Sequence, residues 1–196
     1  MKKITIALIM VISLIAPIQT MAESVTQNGT IIEPLEQNIE QIIDEITSEP
    51  RPINSDAIQN VKEYISEYFG NQGYDNIEYQ KFEYNDENNE NAIRHSSQAD
   101  VFLASTAENA IVDGIGENII VTKNSSIDTT KNLIISAHYD SAEDSVGAND
   151  NGSGVAAVLE LARILKDTEI PYNIKFILFS GEEKYMLGSR WYVGKL

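Results

Sequence analysis

The sequence contains no cysteine, which excludes disulfide bonds, thiolate metal ligands and a cysteine nucleophile. Basic residues are also scarce, since 14 Lys and Arg stand against 30 Asp and Glu, giving a formal net charge of -16. This balance disfavours binding to nucleic acid or anionic lipid and suits metal cations or cationic substrates. With 196 residues the chain is long enough for one domain with a hydrophobic core, but not for two full domains.

Long apolar runs are lacking except at the N-terminus. There, Lys2 and Lys3 precede an apolar run from Ile4 to Ala16, and Thr20 and Ala22 lie at positions that suit cleavage. This pattern predicts a secretory signal peptide over residues 1–22. The run is too short to span a membrane readily, so we expect a secreted protein with no membrane association after signal cleavage.

Residues 23–54 form either a propeptide or an N-terminal helical segment. Leu35, Ile39, Ile42 and Ile46 follow helical spacing. A second helix is predicted from a cap at Ser55 to an end at Gly70. Aperiodic acidic sequence then runs from position 85 to 98 and predicts a solvated loop, in which a calcium role for Asp86, Glu87 and Glu90, or a ligand role for His95, is the weaker interpretation.

The central and C-terminal sequence alternates between strand and helix patterns. Predicted strands are IEYQKFEY, NIIVT, NLIISA and IKFILFS, and GVAAVLELARIL is a predicted helix between the last two. This alternation predicts an α/β domain with a mostly parallel sheet. In such sheets functional sites form at the carboxyl ends of strands.

Candidate metal ligands lie next to three of these elements. His138 ends one apolar strand, and Asp140 is placed to accept the imidazole proton. Asp150 lies in a glycine-rich turn before the helix, and the adjacent Glu182 and Glu183 follow the next strand. Taken singly, His138 is interpreted as a structural residue and Asp150 as a turn residue. The glutamate pair is interpreted as part of a solvated loop. Their joint position favours a metal site, since neighbouring carboxylates at a strand end are tolerated when a cation lies between them.

The motifs HYDS, GANDNGSG, FSGEE and LGS, in this order, resemble those of metallopeptidase family twenty-eight, the co-catalytic dizinc aminopeptidases. The resemblance runs from about Asn118 to Val193. It implies a three-layer α/β domain whose mixed, mostly parallel sheet is flanked by helices. It also implies two zinc ions and hydrolysis of the N-terminal bond of a peptide or protein substrate.

The resemblance assigns a role to each candidate residue. His138 would ligate one zinc, Glu183 would ligate the other, and Asp150 would bridge both. Glu182 would be the general base that activates water, and Asp140 would orient His138. A cis peptide bond is expected after the bridging Asp150.

The resemblance also implies a further Asp and a further His as ligands, and neither residue type follows Glu183 in this sequence. We therefore expect residues 55–196 to be an incomplete zinc peptidase domain, truncated at its C-terminus. Such a site would bind zinc weakly and have little or no activity, because a catalytic zinc usually keeps three protein ligands.

Other functions remain open at this point. A carboxypeptidase or a glutaminyl cyclase would share these motifs, and a non-catalytic secreted metal-binding or interaction fragment would need no complete site. A serine hydrolase is disfavoured because NGSGV does not match the G-x-S-x-G elbow. Similarly, GIGENI lacks the third glycine of a dinucleotide-binding loop. The sequence does not indicate an oligomeric state.

Overall fold

The structure is a computed structural model that describes the backbone of residues 25–27 and 30–32, and residues 34–85 and 113–196 in full. The predicted signal peptide lies outside the described residues. So do Asp86, Glu87, Glu90 and His95 of the acidic loop. Within the described ranges, no helix is both long enough and apolar enough to cross a membrane.

The described residues form six strands and four helices around a short irregular turn at Ala148–Gly152. The strands are β1 Val25–Gln27, β2 Thr30–Ile32, β3 Ile77–Tyr84, β4 Gly114–Lys123, β5 Asn132–His138 and β6 Asn173–Phe179. The helices are α1 Glu36–Ile46, α2 Asp56–Asn71, α3 Ser153–Leu165 and α4 Leu187–Gly194. The strands and helices predicted in residues 35–180 are therefore all present.

The main sheet has the strand order β3-β4-β6-β5 and is mixed. β5 and β6 are parallel, whereas β3 pairs with β4, and β4 with β6, in antiparallel fashion. The predicted α/β fold with a mixed sheet is confirmed, but the expectation of mostly parallel pairing is wrong for the described strands. A continuous apolar run reports burial of a strand on both faces, and β4 has this pattern because it is central, not because it is parallel.

Helices cover both faces of the sheet, as the three-layer prediction requires. On one face α1, α2 and α3 bury a large core that includes Phe69, Leu159 and Phe176. On the other face Tyr192 of α4 packs against Ile177 of the sheet. The alternating directions of neighbouring side chains in β6 supply both cores.

Helix α2 begins where the sequence predicts but ends later. The Ser55 side chain accepts a hydrogen bond from the Ile58 N–H at 3.1 Å, which confirms the predicted cap. The predicted end at Gly70 is wrong, because the helix continues to Asn71. The glycine that adopts a left-handed conformation is Gly73, with φ of 82°, and this is the position where the lack of a Cβ is needed.

A buried carboxylate connects α3 to the start of α1. Glu160 accepts hydrogen bonds from the Leu35 N–H at 2.8 Å and from the Asn38 side chain at 3.3 Å. Arg163 forms an ion pair with the same carboxylate at 2.7 Å. Burial raises the pKa of Glu160, but these bonds from Arg163, Leu35 and Asn38 lower it more, so it lies below its ordinary value.

Glu160→Gln is expected to lower the free energy of unfolding by about 1.5–3 kcal/mol at pH 7, the range for hydrogen bonds to a charged group. Because the folded pKa is depressed, this stabilisation is fully present above the unfolded value near 4.5 and is lost as pH falls through the folded pKa. Urea unfolding at pH 7 and at pH 3–4 checks this. The exposed Glu63→Gln on α2 is the control; a Glu160→Gln effect that does not shrink in acid would contradict the prediction.

Candidate metal centre

The parallel pairing of β5 and β6 brings the predicted site residues to one edge of the sheet. His138 is the last residue of β5 and lies opposite Phe179, the last residue of β6. Glu182 and Glu183 follow β6 after Gly181, whose φ of 72° turns the chain at the strand end. The two strands therefore deliver an imidazole and two carboxylates to the same place.

The two ring nitrogens of His138 face different groups. Its Nδ1 lies 3.1 Å from the Asp140 carbonyl oxygen and 3.5 Å from the Asp140 carboxylate. Its Nε2 lies 3.0 Å from Asp150 Oδ1 and 3.8 Å from Glu182 Oε2. Because Asp140 engages Nδ1, the nitrogen directed at the other carboxylates is Nε2. A metal-binding histidine has this arrangement, in which a carboxylate or carbonyl bonds the ring nitrogen that does not bind the metal.

The donor atoms are close enough to share a cation. One ligand atom each from His138, Glu182 and Glu183 lies within 4.8 Å of the others. His138 is buried, whereas the Asp150 side chain is 78% exposed, so the cluster opens to solvent on one side. Imidazole nitrogen with carboxylate oxygen is a donor set that zinc accepts. The residues fit a zinc ion, and their individual roles stay predictions.

Asp140 joins the two halves of this cluster. Its side chain is fully buried, and its two carboxylate oxygens accept hydrogen bonds from the Glu182 and Glu183 N–H groups, both at 3.1 Å. The sequence predicted a contact between Asp140 and His138. It gave no sign of these two bonds, because they connect residues more than forty positions apart. One carboxylate thus fixes both the imidazole and the Glu182–Glu183 backbone.

The charges of the cluster perturb its titration. Burial lowers the pKa of His138, but the hydrogen bond and charge of Asp140, with Glu182 and Asp150, raise it to about 9. Burial raises the pKa of Glu183, and Asp150 and Glu182 raise it further, while His138 opposes the change. Repulsion among the crowded carboxylates adds to the effect of burial on Glu183, and attraction to the same carboxylates outweighs burial at His138. Such crowding favours a bound cation.

The turn that carries Asp150 is fixed by its own hydrogen bonds. A cis peptide bond joins Asp150 and Asn151, as expected. The Asn151 side chain accepts a bond from the Gly154 N–H at 3.1 Å, and the Gly152 N–H donates to the Gly147 carbonyl at 2.8 Å. These bonds set the position of Asp150 relative to the start of α3.

A buried asparagine that the sequence patterns did not identify holds the loop that carries Glu182 and Glu183. Asn118 lies in β4 with no exposed surface. Its side chain accepts a bond from the Ser180 N–H at 3.2 Å and donates to the Gly188 carbonyl at 2.9 Å. These contacts bracket the loop that bears Glu182 and Glu183. The one signal in the sequence was an amide side chain at the start of an apolar strand, NIIVT.

Comparisons with known proteins identify relatives of the segment that carries this site. Residues 118–195 match the model of peptidase family M28. Aminopeptidase YwaD from Bacillus subtilis (strain 168) is 43% identical over 88 residues, covering 44% of this chain and 19% of the relative. A structure of BSAP, a zinc aminopeptidase from Bacillus subtilis, has a TM-score of 0.64 at 18% identity, covering 82% of this chain and 65% of that one. Fimbriiglobus ruber glutaminyl cyclase has a TM-score of 0.53 at 21% identity, covering 76% and 44%.

These matches differ in what they establish. The two solved structures share the fold, an open α/β arrangement with a mixed sheet and flanking helices. The chain spans about a fifth of the length of the curated relative YwaD. The segment matched by the family model includes His138, Asp150, Glu182 and Glu183, the residues on which the motif resemblance rests. Residues 118–195 of this chain are therefore similar to peptidase family M28 over the segment that carries the candidate ligands.

Proposed function

We propose that this chain carries the catalytic residues of a secreted zinc aminopeptidase. The observation that supports this most directly is the convergence of His138, Glu182 and Glu183, whose ligand atoms lie within 4.8 Å of one another. Asp150 completes the group at 3.0 Å from His138 Nε2. Three carboxylates around one imidazole are electrostatically unfavourable without a cation, so the site is suited to a metal-dependent hydrolase.

His138, Asp150 and Glu183 are proposed to hold zinc, with Asp150 shared between two ions. When bound, zinc polarises the scissile carbonyl and lowers the pKa of the attacking water. Asp140 keeps Nδ1 of His138 engaged, which would leave the lone pair of Nε2 available to a cation. The same carboxylate holds the backbone of Glu183 at the correct distance from the end of β5.

Glu182 is proposed to be the general base. Its carboxylate lies 3.8 Å from His138 Nε2, and its side chain is 41% exposed, so water reaches it. In this role Glu182 takes a proton from the attacking water and delivers it to the leaving amine. In this proposal Glu183 ligates the cation, while the partly exposed Glu182 faces the substrate.

The substrate is proposed to be the free N-terminus of a peptide or protein. A relative that is 43% identical over 88 residues is named an aminopeptidase. The acidic surplus of the chain also complements the positively charged α-amino group of such a substrate. Secretion is proposed from the signal-peptide pattern of residues 1–22.

The test uses protein expressed from Glu23 onward, with zinc binding measured by calorimetry and three substrates assayed on the same sample. Weak zinc binding with slow cleavage of leucine p-nitroanilide, but not of its N-acetyl derivative, is the expected result, because an aminopeptidase needs the free amine and the proposed ligands supply only two protein contacts to each zinc. Cyclisation of an N-terminal glutamine would instead indicate a cyclase, and release of a C-terminal residue a carboxypeptidase. Zinc binding without turnover would favour a non-catalytic metal-binding protein, and no zinc binding would overturn the proposal.

A further inference from the structure

Arg51 is a fully buried arginine that the proposed mechanism does not use. It lies in the segment between α1 and α2, and none of its surface is exposed. Burial lowers the pKa of Arg51, while the charges of Asp140 and Glu183 oppose this shift. A guanidinium stays charged in proteins and is costly to bury, so its partners indicate what it stabilises.

The Arg51 guanidinium donates hydrogen bonds to backbone carbonyls of the loop between the end of β5 and the Asp150 turn. Its Nε donates to the Tyr139 carbonyl at 2.7 Å, and its Nη2 donates to the Gly147 carbonyl at 3.1 Å. Its Nη1 donates to the Val146 carbonyl. The backbone also pairs with Ser141, whose Oγ accepts from the Arg51 N–H at 2.9 Å and whose N–H donates to the Arg51 carbonyl at 3.2 Å.

This loop connects two of the proposed ligands. Tyr139 follows His138 directly, and the Gly147 carbonyl accepts a second bond from the Gly152 N–H at 2.8 Å. The Gly147 carbonyl oxygen therefore accepts hydrogen bonds both from Arg51 and from the backbone that follows Asp150. The planar fork of arginine can hold several carbonyls at fixed angles, which a lysine ammonium does not reproduce.

We propose that Arg51 is a positioning residue for the zinc site, because its guanidinium clamps the 139–147 loop and so fixes His138 relative to Asp150. The proposal rests on the proposed zinc function. It predicts that Arg51 acts on metal affinity through the loop, without contacting the metal or the substrate. It also makes the segment before α2 part of the functional unit.

The neighbouring contacts agree with this last point. Ile42 and Ile46 of α1 are buried in the same core as α2 and α3. The start of α1 is bonded to Glu160 of α3. The chain from position 35 to Arg51 is thus packed on the domain that carries the site.

The test compares Arg51→Lys with Arg163→Lys in protein expressed from Glu23 onward. Both changes keep a positive charge and remove a guanidinium fork, but Arg163 pairs with Glu160, away from the metal cluster. We expect Arg51→Lys to weaken zinc affinity about 10- to 100-fold, the range of loss when a residue that orients a metal ligand is replaced. Arg163→Lys is expected to change unfolding temperature but to leave zinc affinity within about twofold, since distant sites act independently.

A second measurement does not depend on metal. Hydrogen exchange in the presence of EDTA should show faster exchange of the Ser141 and Gly152 amides in Arg51→Lys but not in Arg163→Lys. If Arg51→Lys does not fold, Ser141→Ala removes the acceptor of the Arg51 N–H and should show the same pattern more weakly. Wild-type zinc affinity and exchange in a folded Arg51→Lys or Ser141→Ala would overturn the positioning role. Failure of the wild type to bind zinc would overturn the proposed function, while the exchange result would still report whether Arg51 holds the loop.

The mature N-terminus gives an independent check. Intact-mass measurement of zinc-binding protein from the culture medium should place the N-terminus before Arg51. Zinc-binding protein of wild-type affinity that begins at Asn54 or later would overturn the inference, because it would lack the clamp.

Discussion

Glu182→Gln is expected to lower kcat by about 10²- to 10⁴-fold, the usual contribution of a general base, while leaving zinc affinity nearly unchanged. The amide keeps the size of the side chain but does not accept the proton of the attacking water. The backbone N–H bond to Asp140 is retained, so the loop stays in place. Calorimetry and steady-state kinetics on the same samples separate the two quantities.

The matched comparison is Glu183→Gln, one position along the chain. Glu183 is proposed as a zinc ligand, so this change should weaken zinc affinity. Glu143→Gln, an exposed acid on the preceding loop, is the control and should alter neither quantity. The opposite pattern, with affinity lost in Glu182→Gln and retained in Glu183→Gln, would exchange the two roles. Equal loss of affinity in both would mean that neither glutamate is a dedicated base.

Local patterns in the sequence predicted the elements that carry the site. β3 has the predicted bounds, and α3 and β6 differ from their predicted bounds by one residue. Burial places apolar residues at a regular spacing along a helix or strand. This spacing stops at the glycine-rich turn and at the strand ends, so the sequence marks the bounds of the elements. His138, Asp150 and the glutamate pair were predicted from where they fall relative to those elements, together with a resemblance to known motifs.

Long-range contacts were not predictable in this way. Strand direction in β4 depends on which partner it meets, and the apolar pattern is the same for either direction. Arg51 bonds to carbonyls 88–96 positions away, and a backbone carbonyl leaves no mark in a sequence. Asn118 and the N–H bonds to Asp140 belong to the same class. The sequence thus indicated the residues that face the metal but not the buried residues that hold them.

Asp150→Asn is expected to reduce zinc affinity by more than about 100-fold and to remove aminopeptidase activity with it. Residues that only support a metal ligand are worth about 10- to 100-fold in affinity, and Asp150 is proposed to be a ligand of both ions. Asparagine has the same shape, so the hydrogen-bonded turn around it should persist. The substitution removes a negative charge beside His138, whose Nε2 lies 3.0 Å from Asp150 Oδ1.

Asp144→Asn is the control, because Asp144 is an exposed acid in the same loop and its substitution removes the same net charge. The two variants have the same net charge, so a difference between their zinc affinities reports the loss of the proposed Asp150 ligand. Unfolding in EDTA should be alike for both, since the Asp150 side chain is 78% exposed and contributes little packing. In zinc, wild type and Asp144→Asn should gain stability that Asp150→Asn lacks, because a ligand that binds the folded state raises the free energy of unfolding. Equal gains in all three proteins would show that zinc binds elsewhere, and the ligand assignment of Asp150 would be wrong.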